Sequence, residues 1–341
     1  MDQMVRKYTV RSGTRRWPVA VFYNLIDISA LNAHVLFQAC TGVKERRSDF
    51  LVKLARELAQ SHMAAKEVHM WQMQKGDVVA VPDEETSPPP EKRGRMETHE
   101  WLTETAKDGT VWREEQIGRP LHHSPIECNP MDGEPTAFAR RKVSSRLQSF
   151  LCFISLQMLR TIQEWTVQHA RQTQHGNWFM DLPELMAFIT ILILRGIVRL
   201  PAVHDAWSAT LGVPSISKIM ARNRFQDLHL RFDDKDTRSE RVANDQFAAV
   251  SDVWGSFVAN CIASYNPGRH ITIDEQLFPT KTRCCFLHYI ATKPDKFGIK
   301  FWVACDLKSK YVCNIIPYLV TSKTIARPED HTPWHNKQDS P

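Results

Sequence analysis

Ile271-Thr272-Ile273-Asp274-Glu275-Gln276-Leu277 is the stretch on which the fold turns. Two isoleucines flank a threonine and the β-branched run stops at an acid, so the pattern predicts a short strand ending at Asp274. Downstream, Ile299 to Cys305 reads as a second strand, Lys308-Ser309-Lys310 as a turn, and Tyr311 to Tyr318 as a third strand. An acid at a strand end beside an antiparallel hairpin is a metal-ligand candidate. Paired Mg²⁺ ions about 4 Å apart are held by two or three carboxylates, with water and substrate phosphate completing the shell. A lone strand-end aspartate is far more often a solvated turn residue, so the motif waits on its context.

The rest of the 341-residue chain has the makeup of a core-forming protein, with 43% hydrophobic and 24% charged residues. That excludes a wholly disordered, collagen-like or coiled-coil chain. Lys plus Arg number 44 against 38 Asp plus Glu, a formal charge of +6. Such a balance permits a nucleic-acid partner without establishing one. The eight cysteines (40, 128, 152, 261, 284, 285, 305, 313) form no CxxC pair, which points to reduced thiols in an intracellular compartment. His122-His123 with Cys128, and Cys284-Cys285 with His288, fall short of the four ligands of a structural zinc site. No Gly-rich phosphate loop and no Ser/His/Asp arrangement is present. The N-terminus lacks an apolar signal core, and the apolar run Leu185 to Leu194 is too short to cross a bilayer, so no membrane partner is expected.

Residues 1–63 carry ten Lys/Arg against five acids, nearly the whole excess of the chain. A buried helix is expected over Val19 to Cys40, and a second from a Ser48 N-cap through Phe50, Leu51, Leu54 and Leu58. Residues 64–135 are proline-rich and poor in apolar residues, the composition of a linker, with a turn at Asp108-Gly109 ahead of Val111 and Trp112. Helical periodicity returns over Phe138 to Arg171, over a segment capped by Asp181 and Glu184 and running to about Arg199, over Ser215 to Arg231, and over Asp245 to Ala263. The expected class is α+β.

Resemblance to a family sharpens this. Ile273-Asp274-Glu275-Gln276-Leu277, Arg283-Cys284 with Phe286, Tyr289-Ile290, Lys293-Pro294, Lys296-Phe297-Gly298-Ile299-Lys300 and Cys305-Asp306 resemble the start of the catalytic domain of piggyBac-type transposases. Glu184-Leu185, Phe188-Ile189, Gly196-Ile197-Val198, Leu200-Pro201, Trp207-Ser208 and Arg222-Asn223-Arg224-Phe225 resemble the helical segment before it, and Asp108-Gly109-Thr110 with Trp112 a short motif ahead of that. Asp2-Gln3-Met4, Tyr8, Thr14-Arg15-Arg16-Trp17-Pro18 and Phe22-Tyr23 resemble the end of such a catalytic domain, here placed first.

The resemblance implies an incomplete ribonuclease-H-like sheet, a mostly helical domain and a detached N-terminal helical segment. Its divisions are 1–63 (end of a catalytic domain), 64–104 (disordered linker), 105–268 (helical dimerisation and DNA-binding region), 269–320 (start of the ribonuclease-H-like domain) and 321–341 (disordered tail). It makes Asp274 the first metal-binding aspartate of a catalytic triad and Asp2 the fourth acid, with Mg²⁺ as the family's cofactor. The triad's second and third aspartates have no counterpart in this sequence, so the expectation is a transposase-derived protein without strand-cleaving activity and without a functional metal. Basic residues Arg15, Arg16, Lys293, Lys296 and Lys300 are the candidate DNA contacts. DNA, a homodimer through the helical region, a nuclear location and no small-molecule substrate complete the expectation. A dimeric interaction protein that binds no DNA, and a truncated active transposase, stay open as alternatives. A sheet lacking its later strands would expose one face, which residues 1–63 are positioned by composition to cover in part.

Overall fold

A 25-residue helix, α1 (Trp17–Thr41), is apolar on nearly every side and is buried along most of its length, as a helix without a polar stripe must be. By length and composition it would span a bilayer, yet 83% of its apolar window is enclosed by the rest of the chain. It ends at Gly42, whose φ of 73° is the left-handed conformation that closes a helix at little steric cost. The computed structural model describes residues 7–75, 103–105, 111–113, 132–173, 176–200, 202–210, 212–291, 293 and 295–319.

The second helix, α2 (Arg47–Lys75), buries Phe50, Leu51, Leu54 and Leu58. It continues past residue 63, so the first part of the expected linker is helical. Ser48 sits inside the first turn and its hydroxyl donates to Asp49, leaving it no capping role. A separate unit, His69–Cys128, contains the end of α2 and a two-stranded hairpin, β1 (Thr103–Thr105) with β2 (Val111–Arg113). The hairpin brackets the expected Asp108-Gly109 turn, which lies outside the described residues.

In the larger unit, β3 (Glu134–Pro135) leads into α3 (Ala137–Lys142), α4 (Arg146–Leu151) and α5 (Leu156–Thr173). Thr136 and Ser145 cap α3 and α4, so the stripe expected as one helix is three. Helix α6 (Leu182–Val198) starts where the sequence predicts, with Asp181 accepting from the Glu184 amide at 2.7 Å. The Glu184 carboxylate takes a two-point ion pair from Arg224, at 2.8 Å to each oxygen, in place of the reciprocal cap. A 3-10 turn (Val203–Trp207), α7 (Pro214–Ile219), α8 (Arg222–Asp227) and α9 (Lys235–Asn244) follow. Two short helices therefore replace the single helix expected over 215–231, because Met220 and Ala221 are extended. Helix α10 (Ser251–Ser264) runs into β4 (Tyr265–Asn266), which pairs with β3.

The main sheet is antiparallel and comprises β5 (Ile271–Pro279), β6 (Leu287–Tyr289), β7 (Phe297–Asp306) and β8 (Val312–Pro317). Strand β7 pairs with β5 along one side and with β6 and β8 along the other. Strand β5 extends five residues beyond Asp274, which stands opposite Val303 in the middle of the strand. The expected strand end is corrected: Gln276 is polar but buried, and its amide is satisfied by α1 rather than by water.

That contact also corrects the expectation of a detached N-terminal segment. The Asn24 and Gln276 side-chain amides exchange hydrogen bonds at 3.0 and 3.2 Å. Asn32 donates to the Val312 carbonyl at 2.9 Å and accepts from the Val312 amide at 2.8 Å. Tyr311 donates to the Cys261 carbonyl at 2.7 Å, and Trp254 stacks on Phe301, so α10 lies on the same face. One sheet face is thus covered by α1 and α10. The other exposes Ile273 (71%), Trp302 (37%) and Ile316 (57%). This is an α+β arrangement, with helices on one face of an antiparallel sheet.

Asn32→Ala would strand a buried donor and a buried acceptor on β8. The expected loss is on the order of 3 kcal/mol, read as a lower urea midpoint at unchanged slope.

Candidate nucleic-acid interface

Asp274 is exposed, and one of its oxygens accepts from the Glu275 amide at 2.7 Å. Glu275 is spoken for: Lys300 pairs with its carboxylate at 2.9 Å and Lys293 donates to its carbonyl at 3.4 Å. Among the described residues no group of three or more His, Cys, Asp or Glu side chains gathers that could hold a metal ion. A two-ion site needs several converging carboxylates, so the described residues do not fit one. Asp2, His122, His123 and Cys128 lie outside the described residues.

The five predicted DNA contacts fall into four settings. Lys300 is mostly buried, with its ammonium over the rings of Trp302 at 4.5 Å and Tyr318 at 4.8 Å, so its charge is engaged within the fold. Lys293 caps the open edge of β5. Lys296 is exposed and lines a cavity of about 390 Å³ together with Arg11, Arg195, Lys281 and one carboxylate, Asp295. Arg11 and Arg195 also line an adjoining cavity of about 680 Å³, where Lys7 and Arg199 join them. The two cavities form one basic groove. Arg15 and Arg16 lie beyond it, in a further hollow.

The groove owes its shape to a strap of chain, residues 7–11, laid across the end of α6. Asp27, buried in α1, accepts from Thr9 Oγ1 at 2.6 Å and from the Val10 amide at 2.8 Å. Arg195 donates to the carbonyls of Val10 and Arg11, and Arg199 to that of Lys7 at 3.4 Å. A β-carbon on Gly196 would meet the Thr9 carbonyl oxygen at 2.7 Å, so glycine is what lets the strap lie this close. The strap aligns its own cations beside those of α6.

Burial sets the electrostatics. Desolvation pushes the Asp27 carboxyl up to about 7, against the pull of the Thr9 and Val10 hydrogen bonds and the charges of Arg47 and Arg11. Desolvation likewise lowers Arg195, with Arg11 adding to the effect. Sequence reasoning missed Asp27, Arg195 and Arg199. The available signals were an acid inside an otherwise apolar helix and a buried helix ending in two arginines.

A family model described as Transposase IS4 matches residues 146–338. Among solved structures, a piggyBac transposase in a cryo-EM synaptic complex with hairpin DNA is similar, at 33% identity and a TM-score of 0.49. The match covers 54% of this chain and 40% of that one, so this chain spans less than half the length of that relative.

Between pH 4 and 7 native Asp27 holds a proton that the unfolded chain, with its ordinary value near 3.8, has released. Stability should therefore rise as pH falls from 8 toward 4, by up to roughly 4 kcal/mol from this group. Asp27→Asn should flatten that slope in urea titrations at several pH values, and an unchanged slope would contradict it.

Proposed function

Because this chain belongs to the piggyBac-type Transposase IS4 family, we propose that it is a transposase-derived protein that binds duplex DNA along the basic groove and does not itself cut strands. The observation that carries the proposal is the groove lining. Lys7, Arg11, Arg195, Arg199, Lys281 and Lys296 surround it, with Asp295 as the acid among them. Arg11 reaches Asp295 at 3.5 Å, and both side chains are well hydrated, so that pair leaves most of the positive field intact. Converging cations on a concave wall bind a phosphate backbone without reading its sequence. A DNA partner places the protein in the nucleus.

The absence of cutting rests on the surroundings of Asp274. The neighbouring carboxylate, Glu275, is tied to Lys300, which among the described residues leaves one acid where the family's Mg²⁺ chemistry requires several. The homodimer belongs to the same proposal. Phe138, Phe179 and Ile262 are exposed large apolar side chains of the helical region and are the dimer's candidate contacts. Sedimentation velocity should return the mass of two chains, and a monomer at micromolar concentration would remove the dimer.

Anisotropy of a labelled duplex should show affinity falling steeply between about 50 and 200 mM salt. Arg11→Ala with Lys296→Ala should make the log–log salt slope shallower by about 2, roughly one unit for each phosphate that is no longer neutralised. No binding at low salt would favour the interaction-protein alternative. In a plasmid-nicking assay with Mg²⁺ or Mn²⁺ the protein should be inert. Nicking that disappears in Asp274→Ala would overturn the inactivity and make Asp274 a metal ligand.

A further inference from the structure

Beyond the groove, on the far side of the chain turn at residues 12–16, lies a cavity of about 420 Å³. Arg15, Arg16, Arg231 and Arg238 line it, along with a single carboxylate, Asp233. Four guanidinium groups therefore meet one acid, and that acid is shared. Arg238 holds Asp233 in a two-point ion pair, and Arg241, from outside the cavity, reaches the same carboxylate at 3.5 Å. Among the described residues Arg16 has only a backbone carbonyl, that of Leu230 at 2.8 Å, as its side-chain acceptor. Arg231 donates to His169 and leaves its Nε without an acceptor among the described residues. Arg15 is exposed and makes no ion pair or hydrogen bond among the described residues.

Two aromatic residues of the lining, Trp17 and Phe232, are packed against neighbouring rings. Trp17 stacks on Phe247 and meets Phe286 edge-on, and Phe232 packs on Phe22 beneath. Arg16, Arg231 and Arg238 are held by their hydrogen bonds, while Arg15 is exposed to solvent. Burial, and then repulsion from Arg231 and Arg238, lowers the Arg16 guanidinium to about 10, against the opposing pull of Asp233 and Tyr23.

We propose that this cavity binds a phosphate group, gripped by Arg15, Arg16 and Arg231 while Arg238 stays on Asp233. A guanidinium fork matches two oxygens of a tetrahedral anion, and several forks around one hollow fit phosphate better than a planar carboxylate. The source assigned to it is a backbone phosphate of the DNA lying in the groove; this part rests on the DNA reading above. The turn that carries Arg11 into the groove carries Arg15 and Arg16 into the cavity, so one bound duplex can engage both.

Arg15→Glu is the chosen variant, because Arg15 supports no other contact, and Lys44→Glu, an exposed residue elsewhere, carries the same change in net charge. Arg231→Gln is the second variant. Duplex anisotropy against salt should show Arg15→Glu binding about tenfold more weakly than Lys44→Glu, with the salt slope shallower by about 1. If the wild-type protein binds DNA and the two charge variants bind alike, with Arg231→Gln equal to wild type, the cavity is not a phosphate site and the DNA reading stands. If the wild-type protein binds no DNA, the DNA reading fails and inorganic phosphate decides the cavity. A rise in melting temperature with phosphate that Arg15→Glu abolishes retains the site with free phosphate as its ligand. No such rise overturns it.

Discussion

The side-chain amide of Asn32 bonds both backbone groups of Val312, and in doing so a helix supplies what a neighbouring strand would otherwise supply. Helix α1 is apolar almost all round, so on hydrophobic grounds alone it could turn or slide against the sheet at modest cost. A buried amide removes that freedom, because any other rotation leaves a donor and an acceptor unpaired in a dry interior. Asn24 repeats the device on Gln276, two helical turns away. The two contacts fix α1 to β8 and to β5, elements about 280 and 250 positions away in the chain. They also fix everything that α1 carries: Asp27 at its middle, and the cationic turn that leads into it.

From that anchor the basic groove follows in order. Asp27 pins Thr9 and Val10; Arg195 and Arg199 grip the carbonyls of the same strap; Gly196 gives it room. The cations so gathered are expensive. Arg16, Arg195 and Arg231 all have their charged forms disfavoured by burial. A fold that needed only stability would leave such side chains in water or replace them with apolar ones. Keeping partly dehydrated arginines around open cavities makes sense where an anion supplies the missing counter-charge on binding.

Much of the architecture was legible because period and caps act locally. The apolar run of α1, the Asp181 cap of α6 and the hairpin of β7 and β8 need nothing from distant residues to be recognised. Some of the errors were local, as where the Thr136 and Ser145 caps split one expected helix into three; others came from a polar residue whose partner is far away. Gln276 reads as the polar end of a strand, yet Asn24 satisfies it and β5 runs on to Pro279. Asn32 gives no local sign that it is the clasp tying residues 17–41 to the core. Glu184 reads as a reciprocal cap until Arg224, forty residues on, takes its carboxylate. The site was legible to the extent that charge bias located the basic segments. Bias alone could not tell which cations face open space.

Lys293, Lys296 and Lys300 show why. Three lysines within eight positions look equivalent in sequence, but β5 and β7 set them different tasks. Strand β5 has an open edge at Glu275, where Lys293 meets the carbonyl and Asp274 turns back on the amide, so both groups a foreign strand would bond are occupied. The uncovered sheet face holds Trp302, and Lys300 lies over that ring and the ring of Tyr318 with its ammonium on Glu275, its stem shielding apolar surface and its charge discouraging a second sheet from stacking there. Both lysines guard this edge and face against pairing with another strand or sheet. Lys296, one residue before β7 begins, has neither duty and faces the groove. Asp274 belongs with the first two: its carboxylate is turned to its own backbone at a strand edge, an arrangement that protects the edge and leaves any metal chemistry without partners in the described structure.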